Sequence, residues 1–555
     1  MGVRRGGRLS RRRVLAYAGL IAAVLFAALP AVGAAAGGQG TGGSRASDDT
    51  VRLQILAVND FHGALQSRTL GGRPIGGAAV LAAYWDRWEK EAQKQGITTL
   101  RVGVGDLVGA SPPVSALLQD EPTIEALSRM HLLFSAVGNH EFDEGVAELK
   151  RLQDGGCHPE TGCFPGAGFQ YLTANVVDAE TGEPLFPPYG IVRVRGIPVA
   201  FIGATLKETP TIVTPTGVAG VRFLDEAEAI NRYVAELKAQ GIETIVVLLH
   251  QGGDGDRRGG PISGDVVPIV EALDDEVDVV LSAHTHRGYW GTIDGKLVTQ
   301  AYSSGTAFAD VDLVLDRATG DVIAKEAAIV DTWADVAPGN EPDPRIARIV
   351  ARAEEQVEPI INRVVGVAAD DITRQTTPAG ESELGNLIAD AQRWAMGTDV
   401  AFMNPGGIRA DLAAGEVTWG ELYEIQPFNN DLVKMTLTGA QIERLLEQQW
   451  LNQPRPRILQ VSGLTYRWDP SRPPGDRVDP ADVFINGQPL DLEARYTVTA
   501  NSFIAAGGDN FTAFTEGQDR VVGPVDIDAL VDYVQQLPQP FNAVIEGRIG
   551  LVGAP

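Results

Sequence analysis

An α/β fold built as two successive bodies is what the order of apolar runs predicts for this chain of 555 residues. Three observations carry the prediction. From Val51 to about Thr332, strand-like runs of β-branched and aliphatic residues alternate with segments of helical apolar spacing, as expected of an α/β domain. A Pro-, Asp- and Glu-rich stretch near Pro338 to Pro344 breaks that alternation. From about Val364 a separate set of apolar runs begins, enough for a second core.

Taken in order, the elements start with a processing signal. Ser10-Arg11-Arg12-Arg13-Val14-Leu15 precedes an uncharged apolar run to Leu29, then Pro30 and a small-residue stretch ending Ala34-Ala35-Ala36. A basic region, an apolar core and a small-residue end form a signal peptide over residues 1–36, and the paired arginines resemble the twin-arginine export signal. Its apolar core is shorter than the ~20 residues a membrane span requires, so no span is expected in the mature chain; whether the signal is cleaved or anchors the chain stays open. A Gly/Ala/Ser-rich linker is expected over residues 37–50.

The first body is expected over residues 51–340. Val51 to Val58, Leu100 to Val104, Thr244 to Leu249 and Val277 to Leu281 read as strands, and Gly76 to Gln95 and Asp225 to Gln240 as helices with charges on the outer face. Gly182 to Pro188 and Arg257 to Gly264 read as surface loops. A charged helix over Ile346 to Asn362 provides a linker within residues 341–363. The second body, residues 364–555, contains a helix from Ser382 to Met396, with Ser382 as its cap and Leu384, Leu387, Ile388, Ala391 and Trp394 at helical spacing.

The formal charge is −26, and the first 36 residues carry six arginines and no acid, so −26 less six positives leaves −32 without them. Such acidity argues against a binder of nucleic-acid polymers or anionic membranes, which needs a basic face. A small anionic substrate remains compatible, because metal ions and a few arginines can make one pocket positive. The two cysteines, Cys157 and Cys163, bracket a five-residue loop, and an exported compartment permits a disulfide there.

Chemistry concentrates in short polar clusters that close the apolar runs. They read Asn59-Asp60-Phe61-His62-Gly63, Gly105-Asp106, Gly138-Asn139-His140-Glu141, Leu249-His250-Gln251-Gly252 and Ala283-His284-Thr285-His286, and hold five of the seven histidines. Parallel α/β sheets gather ligands at the carboxyl ends of their strands, so these dispersed residues are expected to form one site. Aspartate, asparagine and histidine donors suit Zn, Mn or Fe, and a carboxylate is a natural bridge between two cations. His131 and His158 lack such surroundings and read as structural or surface residues.

The ordered set Asp-x-His, Gly-Asp, Gly-Asn-His, His and His-x-His resembles the calcineurin-like metallophosphoesterases, and within them the secreted 5'-nucleotidase and UDP-sugar hydrolase family. The resemblance implies a four-layer αββα metallophosphoesterase sandwich, followed by a second α/β (α+β) substrate-binding domain on a helical linker. It implies two divalent ions, Zn, Mn or similar. Asp60, His62, Asp106 and His286 would hold one; Asp106, Asn139, His250 and His284 would hold the other, with Asp106 bridging. The implied activity is release of phosphate from nucleoside monophosphates by in-line attack of a metal-bound hydroxide on phosphorus. UDP-sugar hydrolysis, 2',3'-cyclic nucleotide hydrolysis and a non-catalytic surface binding protein are the alternatives. His140, next to a ligand and three residues from Asp143, is free to meet the phosphate as an imidazolium or proton donor.

Resemblance also assigns the substrate pocket to the second body. Asn404 and Arg409, in Asn-x-Gly-Gly-Ile-Arg, match the family's substrate-binding loop, where the arginine pairs with an oxyanion. Phe428 and Phe503 match two phenylalanines that sandwich a nucleobase, and Asp509 matches a carboxylate that contacts ribose hydroxyls. Some members carry arginines just before or within the segment equivalent to Glu381 to Asn386; this chain has Gly380, Glu381, Ser382 and Glu383 there, with Arg374 as the nearest basic residue to those four. With metals and base pocket on different bodies, the resemblance implies closure of one over the other, hinged at the linker helix.

Overall fold

In the computed structural model, which describes residues Asp49–Gly553, the strand β1 (Thr50–Val58) is apolar on both faces for a structural reason. Leu53, Ile55 and Ala57 enter one core, while Leu56 and Val58 enter another. Side chains alternate along a strand, so a strand sandwiched between two layers needs apolar residues at every position. The expected signal peptide, and all of the expected linker except Asp49 and Thr50, lie outside the described residues.

Along the chain follow α1 (Ala78–Lys94), β2 (Thr98–Val104), β3 (Phe134–Ala136), β4 (Gln170–Leu172), β5 (Tyr189–Val194), β6 (Ile197–Thr205) and α2 (Glu226–Ala239). Next come β7 (Thr244–His250), α3 (Val266–Glu271), β8 (Val277–Ser282), β9 (Gly288–Ile293), β10 (Lys296–Ala301), β11 (Ala307–Asp316) and β12 (Val322–Asp331). They form two six-stranded sheets, ordered β12-β11-β1-β2-β3-β4 and β5-β6-β7-β8-β10-β9. In the first, β1 to β4 run parallel; in the second, β6, β7, β8 and β10 do.

Between the sheets, Leu53, Ile55, Val102, Phe201, Val246, Leu248, Val279 and Leu281 form the central core. Helix α1 covers the outside of the first sheet through Ala78, Leu81 and Trp85. Ile230, Val234 and Leu237 of α2, with Val266 and Val270 of α3, cover the second against Ile245, Val247 and Leu249. Helix, sheet, sheet, helix is the αββα order the resemblance implies. Each large aliphatic side chain so buried contributes roughly 1.5–3 kcal/mol.

The connecting helix α4 (Pro344–Ile361) begins two residues before the expected start. Asp343 caps it, accepting hydrogen bonds from the Arg345 and Ile346 amides at 2.7 and 3.2 Å, and Pro344 occupies the first turn, where its missing N–H is harmless. Its apolar stripe, Ile346, Ile349, Val350, Ala353 and Val357, packs into the core on α1. The helix is therefore carried by the first body, and its last residue, Ile361, abuts Gly420 of the second; a Cβ added to Gly420 would lie 3.1 Å from it.

The second body contains α5 (Glu383–Met396), β13 (Val400–Met403), α6 (Trp419–Ile425), β14 (Asp431–Thr438), α7 (Gly439–Glu447), β15 (Gln460–Ser462), β16 (Arg495–Asn501), β17 (Gln518–Val525) and α8 (Asp526–Gln536). Its main sheet has five strands in the order β15-β13-β16-β14-β17. Leu384, Leu387 and Ile388 of α5 pack with Ile527 and Leu530 of α8 on one side; Ile442 and Leu445 of α7 pack with Phe402, Met435 and Val498 on the other. Ser382 caps α5, accepting from the Gly385 amide at 3.1 Å. Trp394 departs from the expected core stripe: it is 42% exposed and leans on Tyr533.

Replacing Leu313 by Ala, in β11 and buried between the sheets, is expected to lower the free energy of unfolding by about 2–5 kcal/mol in a denaturant titration. Val521→Ala, on the exposed face of the edge strand β17, should change it by less than about 0.5 kcal/mol.

Candidate metal centre

Five strand ends meet at one edge of the two-sheet core. The loop after β1 carries Asp60 and His62, that after β2 carries Asp106, and that after β3 carries Asn139 and His140. His250 is the last residue of β7, and His284 and His286 follow β8. Asp60, His62, Asp106, His284 and His286 all have left-handed φ, between 48° and 72°. Such backbone costs of order 1–3 kcal/mol per residue and persists only where neighbouring bonds over-determine it.

Those bonds are present. The His62 amide donates to the Asp106 carbonyl at 2.9 Å, and the Asp60 amide to the Gly105 carbonyl at 3.1 Å. The His284 amide lies 3.0 Å from both carboxylate oxygens of Asp60. Loops from β1, β2 and β8 are thereby tied to one another through the backbone of the candidate ligands themselves.

The donor atoms fall into two groups. Ligand atoms of Asp60, His62 and His286 lie within 4.8 Å of one another, and so do those of Asp106, His250 and His284. Asp106 borders both groups: its Oδ2 is 3.9 Å from His62 Nε2 and 3.1 Å from His250 Nε2. Asn139 Oδ1 joins the second group, 3.0 Å from His284 Nδ1. All seven residues singled out as ligands are therefore brought together.

Their protonation chemistry fits a pair of divalent cations. His62 Nδ1 faces the Gly109 carbonyl at 2.9 Å and His250 Nδ1 the Val104 carbonyl at 2.7 Å, which turns each Nε2 toward the cluster. Burial pulls His62 and His284 down to about 3, so both are neutral donors, the form a metal requires. His62 Nε2 stands 3.2 Å from His286 Nε2, an approach that a shared proton or a cation must mediate. His250 Nε2 is buried with no hydrogen-bond partner, its position beside Asp106 lying off the hydrogen-bond direction. Burial opposes charge on this pair, yet Asp106 pushes His250 up to about 9, and His250 and His140 hold Asp106 well below the usual range against its own burial. A cation in that place would replace a trapped proton.

Two residues of this site carried no role in the sequence reading. Glu141 is fully enclosed and accepts three backbone hydrogen bonds, from Asp106 N at 2.8 Å, Leu107 N at 2.7 Å and Gly138 N at 2.6 Å. It clamps the β2 loop to the β3 loop, and burial, then the Asp106 charge, pushes its carboxyl up to about 7. Gly138 permits this approach, since a Cβ there would lie 2.1 Å from Asp106 Oδ1. Asn59 orients Asp60: its Nδ2 donates to Asp60 Oδ2 and to the Tyr302 carbonyl, both at 2.6 Å, and its Oδ1 accepts from Ala301 N at 2.9 Å. A polar residue directly beside a candidate ligand was the one signal available for either.

A ring nitrogen of His140 also lies within 4.8 Å of donor atoms of His62 and Asp106, but its Nδ1 is held by another partner. Its Nδ1 meets Asp143 Oδ2 at 2.8 Å, and its amide donates to Asp106 Oδ1 at 2.8 Å. Burial disfavours the imidazolium, but Asp143 and Asp106 together raise it above its ordinary value. His131 and His158 lie elsewhere, His131 exposed and His158 in the hairpin closed by the Cys157–Cys163 disulfide.

The second body reaches this cluster. The Phe428 ring stacks over His140, with centroids 5.8 Å apart and planes 19° from parallel, and the Arg409 guanidinium lies 5.7 Å from the Phe428 ring. Burial lowers Arg409, while Asp106 and Asp143 counter it; the carboxylates of the first body are close enough to act on it. Phe503 lies against Gly508, where a Cβ would come within 2.4 Å of the ring. Asn404 Nδ2 donates to Asp509 Oδ2 at 3.0 Å and its Oδ1 accepts from Asn501 Nδ2 at 2.9 Å.

The segment lacking the family's arginines is used structurally. Glu381 is buried and accepts from Asn386 Nδ2 at 2.8 Å and from the Glu546 and Gly547 amides at 2.7 and 3.1 Å. Arg374 is brought behind Arg409 instead, its Nη1 donating to the Arg409 carbonyl at 2.6 Å.

His140→Ala is expected to retain metal, measured by elemental analysis of the purified protein, while phosphoester turnover falls by a factor of about 10² or more. Glu141→Gln keeps the size but loses one carboxylate acceptor; it should weaken metal binding by about 10–100-fold in a chelator competition, and unchanged affinity would remove Glu141 from the clamp.

Comparison with known proteins agrees with this arrangement. Residues 53–288 match the model of the calcineurin-like phosphoesterase family, and residues 364–516 that of the 5'-nucleotidase C-terminal domain. Endonuclease YhcR of Bacillus subtilis is 39% identical over 92% of this chain, which spans only 42% of that relative's length. Cell wall protein Lmo0130 of Listeria monocytogenes is 36% identical, with 89% of this chain and 68% of that protein covered. The solved 5'-nucleotidase precursor of Thermus thermophilus superposes with a TM-score of 0.76 at 32% identity, covering 91% of this chain and 100% of that one. With both halves matched in order and the whole of a solved 5'-nucleotidase precursor covered, the chain belongs to the 5'-nucleotidase family of calcineurin-like phosphoesterases.

Proposed function

We propose that this chain is an exported phosphoester hydrolase that releases phosphate from nucleoside 5'-monophosphates. One observation carries the choice of substrate: Phe428, on the second body, stands over His140 beside the candidate ligands of the first, with Arg409 at the Phe428 ring. A base-stacking ring and an oxyanion-pairing guanidinium thus meet a group able to act on phosphate. Aromatic stacking contributes roughly 1–3 kcal/mol per base and tolerates any base.

Two divalent cations held by Asp60, His62, Asp106, Asn139, His250, His284 and His286 would supply an acidified water and a clamp on the phosphoryl oxygens. Around them the chain's own groups act. Arg409 pairs with a phosphate oxygen, and the bidentate fork of guanidinium fixes its orientation. His140, held at Nδ1 by Asp143, presents Nε2 to the charge that builds on the phosphoryl group or to the departing O5'. Phe428 and Phe503 grip the base, and Asn404 and Asp509 border the ribose.

Export rests on the twin-arginine signature near the N-terminus and on the likeness to a protein named for the cell wall. The Cys157–Cys163 bond suits an oxidising compartment. The acidic composition favours a small nucleotide over the polynucleotide that the name of the Bacillus relative suggests.

Turnover of AMP, other nucleotides, UDP-glucose, 2',3'-cyclic nucleotides, sugar phosphates and a single-stranded oligonucleotide, each with Zn, Mn, Co or Ca added after chelation, tests the reading. Nucleoside monophosphates should give the highest kcat/KM, and activity should vanish with chelator alone. Absence of turnover for every nucleotide would overturn it. Phe428→Ala should raise KM for AMP by about 5–100-fold and leave KM for p-nitrophenyl phosphate, which lacks a base, much less changed.

A further inference from the structure

The ribose wall of the pocket carries more positive charge than recognition of neutral hydroxyls needs. Asp509 sits there at φ 56°, next to Gly508 against which the Phe503 ring rests. Both of its carboxylate oxygens are engaged by the chain: Oδ2 accepts from Asn404, and Oδ1 lies 2.7 Å from Arg457 Nη1. The Arg457 side chain is only 17% exposed, and that Nη1 is buried without a well-aligned hydrogen bond. Guanidinium offers five N–H donors, so a single off-axis contact leaves most of them unused.

The loop that brings Arg457 is fastened to the same place. Gln453 Nε2 donates to the Asp509 carbonyl at 2.6 Å, and the Arg457 amide to the Gln449 carbonyl at 2.9 Å. Pro454 and Pro456 fix φ on both sides of Arg455. Arg455 is exposed and, among the described residues, makes no hydrogen bond or ion pair; burial raises the Asp509 carboxyl above its usual value, and Arg457, Asn404 and then Arg455 counter it. One guanidinium thus pairs with this carboxylate and a second is carried two residues away on the same loop, in a chain of formal charge −26.

We propose that Arg457 and Arg455 form a second anion site at the ribose end of the pocket, which takes a phosphoryl group on the 2' or 3' oxygen of a nucleoside 5'-phosphate. The inference rests on the nucleotide reading above and specifies the substrate class as nucleoside bisphosphates. A neutral ribose would be served by a free carboxylate accepting from two hydroxyls; here that carboxylate is already paired. A phosphoryl dianion instead meets the unused donors of Arg457 and the free charge of Arg455, in the fork geometry guanidinium provides. In the reaction, water adds at the 5' phosphorus, the bond from phosphorus to O5' breaks and O5' takes up a proton. Inorganic phosphate leaves, and the second phosphoryl group stays on the ribose as a nucleoside 2'- or 3'-monophosphate.

The full chain, loaded with Mn, is compared on AMP, adenosine 3',5'-bisphosphate and adenosine 2',5'-bisphosphate. One bisphosphate is expected to exceed AMP in kcat/KM by about tenfold or more at low salt, and which one it is identifies the ribose oxygen. Arg457→Met should reduce that ratio at least fivefold, with Arg457→Lys restoring part of it. Should Arg457→Met fail to fold, Arg455→Met, at an exposed position, should by itself reduce the ratio at least twofold. Calorimetry on His140→Ala reads the same preference as binding, independent of turnover. Hydrolysis of AMP with no preference for either bisphosphate overturns the proposal and leaves the nucleotidase reading intact. A preference unchanged in both arginine variants also overturns it. If no adenine nucleotide is bound or hydrolysed, the nucleotidase reading fails and the second site with it.

Discussion

One carboxylate, that of Asp106, has to remain ionised in the protein interior, and the rest of the site is arranged around that demand. Burial alone would neutralise it; imidazoles from the ends of β7 and β3 keep it charged. Its place is set by backbone: Glu141 holds the Asp106 and Leu107 amides, and the His140 amide donates to Asp106 Oδ1. A buried charge is tolerable only with such dense compensation. The left-handed φ values at five candidate ligands follow from the same demand, since loops from both sheets must turn sharply to converge within a few ångströms.

That convergence is what makes the continuous apolar strands informative. A strand such as Thr244–His250 is buried on both faces because layers lie on each side, and a polar residue can be placed only where the strand ends. Histidine directly after a fully apolar run therefore marks the edge of the sandwich. By that logic the polar clusters were legible from the sequence, each standing where an apolar run stops, while the choice of seven candidate ligands among their residues came from the resemblance to a known family. Glu141 and Asn59 stand at the same edges and were not assigned, because nothing local distinguishes a residue that orients a ligand from one that is a ligand. Their roles are set by partners 34 and 242 residues away in sequence.

The second body was legible in outline and less so in detail. Ser382 as a cap and Leu384, Leu387 and Ile388 as a buried stripe follow from helical spacing, but the same spacing placed Trp394 in the core, and the structure leaves it on the surface beside Tyr533. Spacing identifies a face, and the end of a helix can extend past the layer it covers. The linker helix shows a related limit. Its charge pattern announces a helix, whereas only packing shows that the stripe from Ile346 to Val357 belongs to the first body, the chain passing to the second where Ile361 abuts Gly420. Arg374 was noted only as the basic residue preceding Glu381 and Arg457 not at all, because each meets a partner distant in sequence, Arg409 or Asp509.

Electrostatics divides the molecule in a way that bears on what can enter it. A chain with 72 acidic and 46 basic residues presents a negative exterior, which draws divalent cations toward the protein and repels polyanions at long range. Near the site, arginines are gathered among the carboxylates: Arg409 lies by the Phe428 ring, Arg374 backs it, and Arg457 pairs with Asp509. A nucleotide with two or three charges meets repulsion only until it enters the pocket, within roughly one Debye length of about 8 Å at physiological salt. A polynucleotide keeps most of its phosphates outside, where the field stays unfavourable along its whole length. On the proposed function, the acidic surface would thus favour a small charged substrate over a polymer before any base or sugar is recognised.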